Sequence, residues 1–130
     1  MQMRGVTDLG AGVMGAQTAA YCINARVRVI LFDIAHEACW IGAANCDTDL
    51  PWLAECDVVI HAIGEGMDWK RALCRFCALH LRADAPFAAN TSGPSIGALS
   101  KGFDSDLHGR FCGAFLFNPT RDMTLIKELA

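Results

Sequence analysis

Apolar residues in this chain fall in short runs of strand and helix length, set apart by polar or glycine-bearing joints. Val27-Arg28-Val29-Ile30-Leu31-Phe32 and Asp57-Val58-Val59-Ile60-His61-Ala62-Ile63 are rich in β-branched residues and nearly continuous, as expected of strands buried on both faces. Between Asp68 and His80 the apolar positions change to helical spacing, with 69, 73, 76, 77 and 80 on one face. The whole pattern predicts strand 3–9, helix 13–25, strand 27–33, a helical or irregular piece 35–55, strand 57–63 and helix 67–80. It continues with strand 86–90, a short helix 94–100, strand 111–117 and a last strand near 123–129. Alternation of this kind predicts an α/β fold, a doubly wound and mostly parallel sheet with right-handed crossovers. In such a sheet the ligand lies beyond the carboxyl ends of the strands, where strand order reverses. Asp33, Glu65, Asn90, Ser92 and Asn118 all follow predicted strands and so fall at that end.

One strand strains the pattern. Met3-Arg4-Gly5-Val6-Thr7-Asp8-Leu9 takes the place of a central strand, yet Gly5 lowers its strand preference and Asp8 puts a carboxylate into the core. Without a partner or a retained proton, that carboxylate costs on the order of several kcal/mol, comparable to the stability margin of a small domain.

At 130 residues the chain is read as one domain, 1–130, large enough for a real core. Apolar residues at 53% against 19% charged describe a well-buried fold, and a net charge of −3 argues against a nucleic-acid partner. No run reaches membrane-spanning length, and the first residues lack a signal peptide's basic head and apolar run, so a cytoplasmic location without membrane contact is expected. Seven cysteines, an odd number scattered through apolar segments, read as reduced core thiols. Cys74-x-x-Cys77 with His80 has the outline of a metal triplet, but its helical context and the lack of a second ligand pair favour packing, so no metal is expected.

The sharpest chemical signal is Gly10-Ala11-Gly12-Val13-Met14-Gly15, at the joint between the first strand and first helix, followed eighteen positions after Gly15 by Asp33 at the end of the second strand. Glycines there let the backbone turn sharply, approach a pyrophosphate and pack helix against strand, the fingerprint of a Rossmann dinucleotide site. The helix start, with the backbone of Gly12, Val13 and Met14, turns unpaired N–H groups toward phosphate oxygens. Asp33 is placed to accept ribose hydroxyls and to repel a 2′-phosphate, which favours NAD over NADP.

Three further segments narrow the family: Asp57 to Glu65 leading into Asp68-Trp69-Lys70-Arg71, then Ala89-Asn90-Thr91-Ser92-Gly93, then Arg110 through Phe117-Asn118-Pro119. In this order and spacing the chain resembles the NAD-binding domain of the L-3-hydroxyacyl-CoA dehydrogenases of fatty-acid β-oxidation. The 3-hydroxyisobutyrate and 6-phosphogluconate dehydrogenases share the glycine loop, but Asn-Thr-Ser and Phe-Asn-Pro point to the acyl-CoA family. The resemblance implies an NAD-dependent oxidoreductase acting on 3-hydroxyacyl-CoA, with Glu65 and Lys70 at cofactor-contacting places. It also implies Ser92 and Asn118 near nicotinamide and substrate. Each has a plain alternative: surface charges at a helix start for Glu65 and Lys70, a cap for Ser92, a turn former for Asn118.

The same resemblance exposes departures. The family's proton-accepting His falls on Phe115, and the Glu that orients it, twelve residues on, falls on Lys127. A benzyl group accepts no proton, and loss of a positioned general base costs about 10²–10⁴-fold in rate. His61 stands where the family has Glu, and the segment between Asp33 and Asp57 is short for the helical hairpin that holds CoA. Trp40 and Trp52 in it are read as covering the flank of the sheet. His36, His61, His80 and His108 are read as surface or packing residues. The resemblance also implies a helical C-terminal domain with substrate and dimer contacts, which is not read in residues 1–130. Three readings follow: an enzyme domain completed by another chain or region, a catalytically silent NAD-binding module, and a structural Rossmann-like domain. Acyl-CoA and a second copy of the chain are the further partners implied.

Overall fold

Strand β1, Gly5–Leu9, is buried at every position despite its composition, because it occupies the middle of the sheet. The computed structural model describes residues 5–33, 43–46, 48–64, 66–92, 95–101, 103–116 and 126–129, the side chains of 43 and 126–129 excepted. Gly5 donates its N–H to Asp57 Oδ2 at 3.0 Å, and the Thr7 hydroxyl lies 2.7 Å from Cys56 Sγ, so the polar atoms at the start of this strand are matched. From β1 the chain enters helix α1, Val13–Asn24, whose buried residues Gly15, Thr18 and Ala19 are small enough to let it lie close on the strand. Strand β2, Arg28–Asp33, follows after a turn through Arg26 at φ 60°.

The remaining strands are β3 (Ala43–Asn45), β4 (Val58–His61), β5 (Phe87–Ala89), β6 (Phe111–Leu116) and β7 (Ile126–Leu129). Helices α2 (Met67–Ala78), α3 (Ile96–Leu99) and α4 (Ser105–His108) and a 3-10 helix, Leu50–Glu55, complete the described elements. The sheet runs β3-β2-β1-β4-β5-β6-β7, parallel except for the antiparallel β6–β7 pair. Strand order reverses between β1 and β4, so the crevice expected of a doubly wound sheet opens beyond Leu9 and His61.

The expected alternation of elements holds, with local corrections. Residues 43–45, expected within a helical or irregular piece, form an edge strand paired with β2. Residues 105–108, given no element, form a helical turn capped by Asp104, whose carboxylate accepts the Leu107 N–H at 2.8 Å. On α2 the buried residues are Lys70, Cys74 and Cys77; of the expected face 69, 73, 76, 77 and 80, Cys77 is buried and Leu73 partly so, while Trp69 and Phe76 are exposed. The helix is turned so that the lysine goes inward, its ammonium donating to Ile63 O at 3.0 Å while its stem packs among apolar residues. Both thiols of the Cys-x-x-Cys pair are buried, and burial pushes Cys74 up to about 12 and Cys77 higher still, so they stay protonated core residues. Among the described residues no helix is long and apolar enough to cross a membrane.

Candidate functional site

The loop leaving β1 has the geometry its glycines suggest. Gly10 sits at φ 112°, a conformation L side chains rarely adopt, and donates its N–H to Phe32 O at 2.8 Å. A Cβ on Gly15 would lie 1.7 Å from Gly10 O, so the first turn of α1 packs directly on the loop backbone. A Cβ on Gly12 would meet nothing within 4 Å: its backbone faces open space. Gly12 is also the N-cap residue of α1, with no side-chain cap and no acidic residue in the first turn, so the helix end presents its N–H groups and positive dipole outward. Val13 is 67% exposed at this end.

Asp33, at the carboxyl end of β2, accepts the Ala11 N–H on Oδ2 at 2.7 Å. The carboxylate expected to meet a ribose is thus fixed against the glycine loop. Two clefts flank this point and share Ala62 and Ile63 as a common wall. One, of about 410 Å³, is lined by Gly10, Gly12, Asp33, Cys46, Gly64 and Trp69 among others. The second, of about 250 Å³, is lined by Met14, Asn90, Thr91, Ser92, Phe115 and Leu116. Together they form a crevice across the carboxyl ends of β2, β1, β4, β5 and β6, one cleft on the Asp33 side of Ala62 and Ile63 and the other on the Ser92 side.

Gly10, Gly12, Met14, Asp33 and Ser92 therefore line this crevice, and Gly15 shapes the loop from beneath it. Lys70 does not line it: the side chain is fully buried and bears on the crevice through the carbonyl of Ile63, to which its ammonium donates. Ser92 is exposed, and the cap of the following helix is Ser95, which accepts the Ala98 N–H at 3.1 Å. Glu65 and Asn118 lie outside the described residues, as do His36 and Trp40. Of the departures, Phe115 lines the second cleft, and backbone register makes Lys127 its Cα partner across β6–β7. Trp69, absent from the sequence-based assignment because it was given to the core, stands on the wall of the first cleft. The side chain of Asn90 accepts the Leu116 N–H at 3.3 Å and joins β5 to β6 in the second.

Two buried ionisable groups lie just under the crevice. Asp8 is fully buried and, among the described residues, neither carboxylate oxygen has a hydrogen-bond partner; burial raises its pKa to about 7. His61 is also buried, with both ring nitrogens unpartnered among the described residues, stacked on Phe111 and edge-on to Phe87. Burial and then the neighbouring Lys70 charge lower its pKa to about 3, so it is a neutral ring in an aromatic cluster, a packing residue rather than a surface one.

Comparison with known proteins agrees with this arrangement. A family model described as "3-hydroxyacyl-CoA dehydrogenase, NAD binding domain" matches residues 39–129. A protein of Deinococcus radiodurans named as a probable 3-hydroxyacyl-CoA dehydrogenase is 29% identical over 158 aligned positions, covering 99% of this chain and 46% of its own length. That alignment is longer than the 130 residues of the chain, so the relative carries residues this chain lacks. The crystal structure of 3-hydroxybutyryl-CoA dehydrogenase from Escherichia coli superposes with a TM-score of 0.88 at 25% identity, over 100% of this chain and 33% of that one. A 3-hydroxyacyl-CoA dehydrogenase from Archaeoglobus fulgidus gives a TM-score of 0.82 at 27% identity, over 98% of this chain and 46% of that one. The chain spans less than half the length of the curated relatives it matches.

Proposed function

The chain belongs to the 3-hydroxyacyl-CoA dehydrogenase family as its NAD-binding domain, and from that premise we propose that it holds NAD(H) in the crevice while lacking the family's proton transfer. The observation that carries the binding half is the glycine loop: Gly15 packed on Gly10, open space at Gly12, and Asp33 fixed to Ala11 at the β1–β4 switch point. NAD fits that cradle, because uncapped N–H groups suit a pyrophosphate and the Asp33 carboxylate suits ribose hydroxyls. Gly10, Gly12, Val13, Met14, Gly15 and Asp33 would hold it, with Glu65, Ser92 and Asn118 at the places the family resemblance gives to cofactor contacts, while Lys70, enclosed in the core, would act on it through the Ile63 carbonyl. When bound, the dinucleotide would supply hydride acceptance and donation through its nicotinamide; this chain's residues would bind and orient it.

Titration with NADH, followed through the nucleotide's fluorescence, tests the binding half. Asp33→Ala is expected to raise Kd by about tenfold or more, the effect of losing a hydrogen bond to a charged group, and to narrow the preference for NADH over NADPH. Equal affinities for wild type and variant, or no binding at millimolar NADH, would remove the proposal.

The catalytic half rests on Phe115, which faces the second cleft without a proton-accepting atom. An acyl-CoA thioester is then the second ligand of the longer family members, acting in the cytoplasm together with a helical C-terminal domain or a second copy. Because β7 already sets Lys127 opposite Phe115, the double change Phe115→His with Lys127→Glu is expected to raise acetoacetyl-CoA reduction by about 10²-fold or more over the unaltered chain. Ordinary turnover by the unaltered chain, on the order of 1–10³ s⁻¹, would show that another residue serves as base.

A further inference from the structure

Trp69 combines three properties that a core or surface tryptophan does not need. It is 73% exposed, although the indole is the largest apolar side chain available to a core. It lines the same cleft as Gly10, Gly12 and Asp33. Its ring also lies over Gly66, whose missing Cβ would stand 3.4–3.6 Å from three ring atoms, so the indole rests on backbone at the helix start. A large π-surface is thereby supported from one side and open toward the cleft. Trp52, by contrast, sits on the 3-10 helix and does not line this cleft.

The ligand class follows from what surrounds it. The Asp33 side of the crevice is lined mainly by apolar groups and backbone, with Leu73 one turn beyond Trp69 and Cys46 on the β3 side. A flat, weakly polar heteroaromatic ring attached to a ribose suits these walls, whereas Phe115 and Ser92 lie on the other side of Ala62 and Ile63. Resting on the NAD-binding reading above, we propose that Trp69 stacks on the adenine base of the dinucleotide and sets the affinity of its adenosine half. Stacking of a base on an aromatic side chain adds binding without hydrogen-bond readout.

Calorimetric titration with ADP-ribose, which is the dinucleotide without its nicotinamide ring and so keeps the adenosine half intact, tests this alongside NADH titration. Trp69→Ala is expected to raise Kd for both by about tenfold, and Trp69→Phe to return it to within about threefold of wild type. ADP-ribose should quench tryptophan emission in the wild type and leave emission of Trp69→Phe unchanged. Since Trp69 is exposed, circular dichroism and melting temperature should match wild type in both variants. If Trp69→Ala binds ADP-ribose as wild type does while Asp33→Ala binds weakly, Trp69 is only part of the apolar flank it shares with Phe76 and Leu79, and the stacking proposal fails alone. If the wild type binds neither ADP-ribose nor NADH, both proposals fall together.

Discussion

Asp8→Val is expected to stabilise the protein by about 4 kcal/mol at pH 8, and by less, about 1–2 kcal/mol, at pH 5. The carboxyl group is buried in the central strand without a hydrogen-bond partner among the described residues, between Leu31 on β2 and Ile60 on β4. From α1 it is faced by the Gly15 backbone and by Cys22, whose own thiol is pushed up by burial and then by Asp8. With a folded pKa of about 7 against an ordinary 3.8, the folded state holds the proton more tightly than the unfolded one. Stability from this group is therefore complete below pH 3.8, declines as pH rises, and is exhausted above about pH 7. Urea unfolding of wild type should lose roughly 3 kcal/mol between pH 5 and pH 8 through this group, and Asp8→Val should lack that component. Identical pH dependence in the two proteins would mean that Asp8 has a partner in solution.

Gly15→Ala should be the most damaging single methyl group that can be added at the crevice. The new Cβ would fall 1.7 Å from Gly10 O, and Gly10 has no room to withdraw, its own Cβ position already lying 3.0–3.2 Å from Ala62 and Ile63 atoms. Relief requires separating α1 from β1, at a cost of about 3 kcal/mol and with the N–H groups of the loop displaced. NADH affinity should drop by about 100-fold or more. Gly12→Ala separates fold from ligand: nothing lies within 4 Å of its added methyl, so the melting temperature should hold. Its NADH affinity should nonetheless fall, because that methyl would occupy the space where phosphate oxygens approach the helix. A Gly12→Ala protein binding NADH like wild type would mean that the pyrophosphate sits elsewhere.

What could be read from residues alone differs sharply along the chain. The first βαβ unit was legible despite the Gly5 and Asp8 of β1, because the glycines at the joint, the apolar run of β2 and the carboxylate that ends it agree with one another. Strand β3 was not, since Ala43-Ala44-Asn45 carries neither a β-branched residue nor any alternation and forms only by pairing with β2. The turn at 105–108 could have been found from Asp104, a good capping residue two positions before Asp106 in the first turn. The rotation of α2 was hidden because periodicity counts apolar residues and takes a lysine as solvated. Lys70 is buried because a backbone carbonyl receives its ammonium, a tertiary fact. Likewise His61 was marked as a substitution, but its enclosure between Phe87 and Phe111 depends on strand register. The crevice was placed by topology, while its wall at Trp69 came to light only once α2 was seen to turn that indole outward.

The anchoring of Ile63 by Lys70 bears on how tightly any occupant can be held. Ile63 belongs to both clefts, and an ammonium fixed on its carbonyl, from a side chain itself enclosed in the core, makes the exit of β4 continuous with the scaffold. A ligand arriving there meets a shared wall already tied to the scaffold at Ile63, so less ordering entropy is surrendered at that point on association. Dinucleotide analogues that differ only where they meet Ile63 are then expected to rank by their fit to that fixed wall.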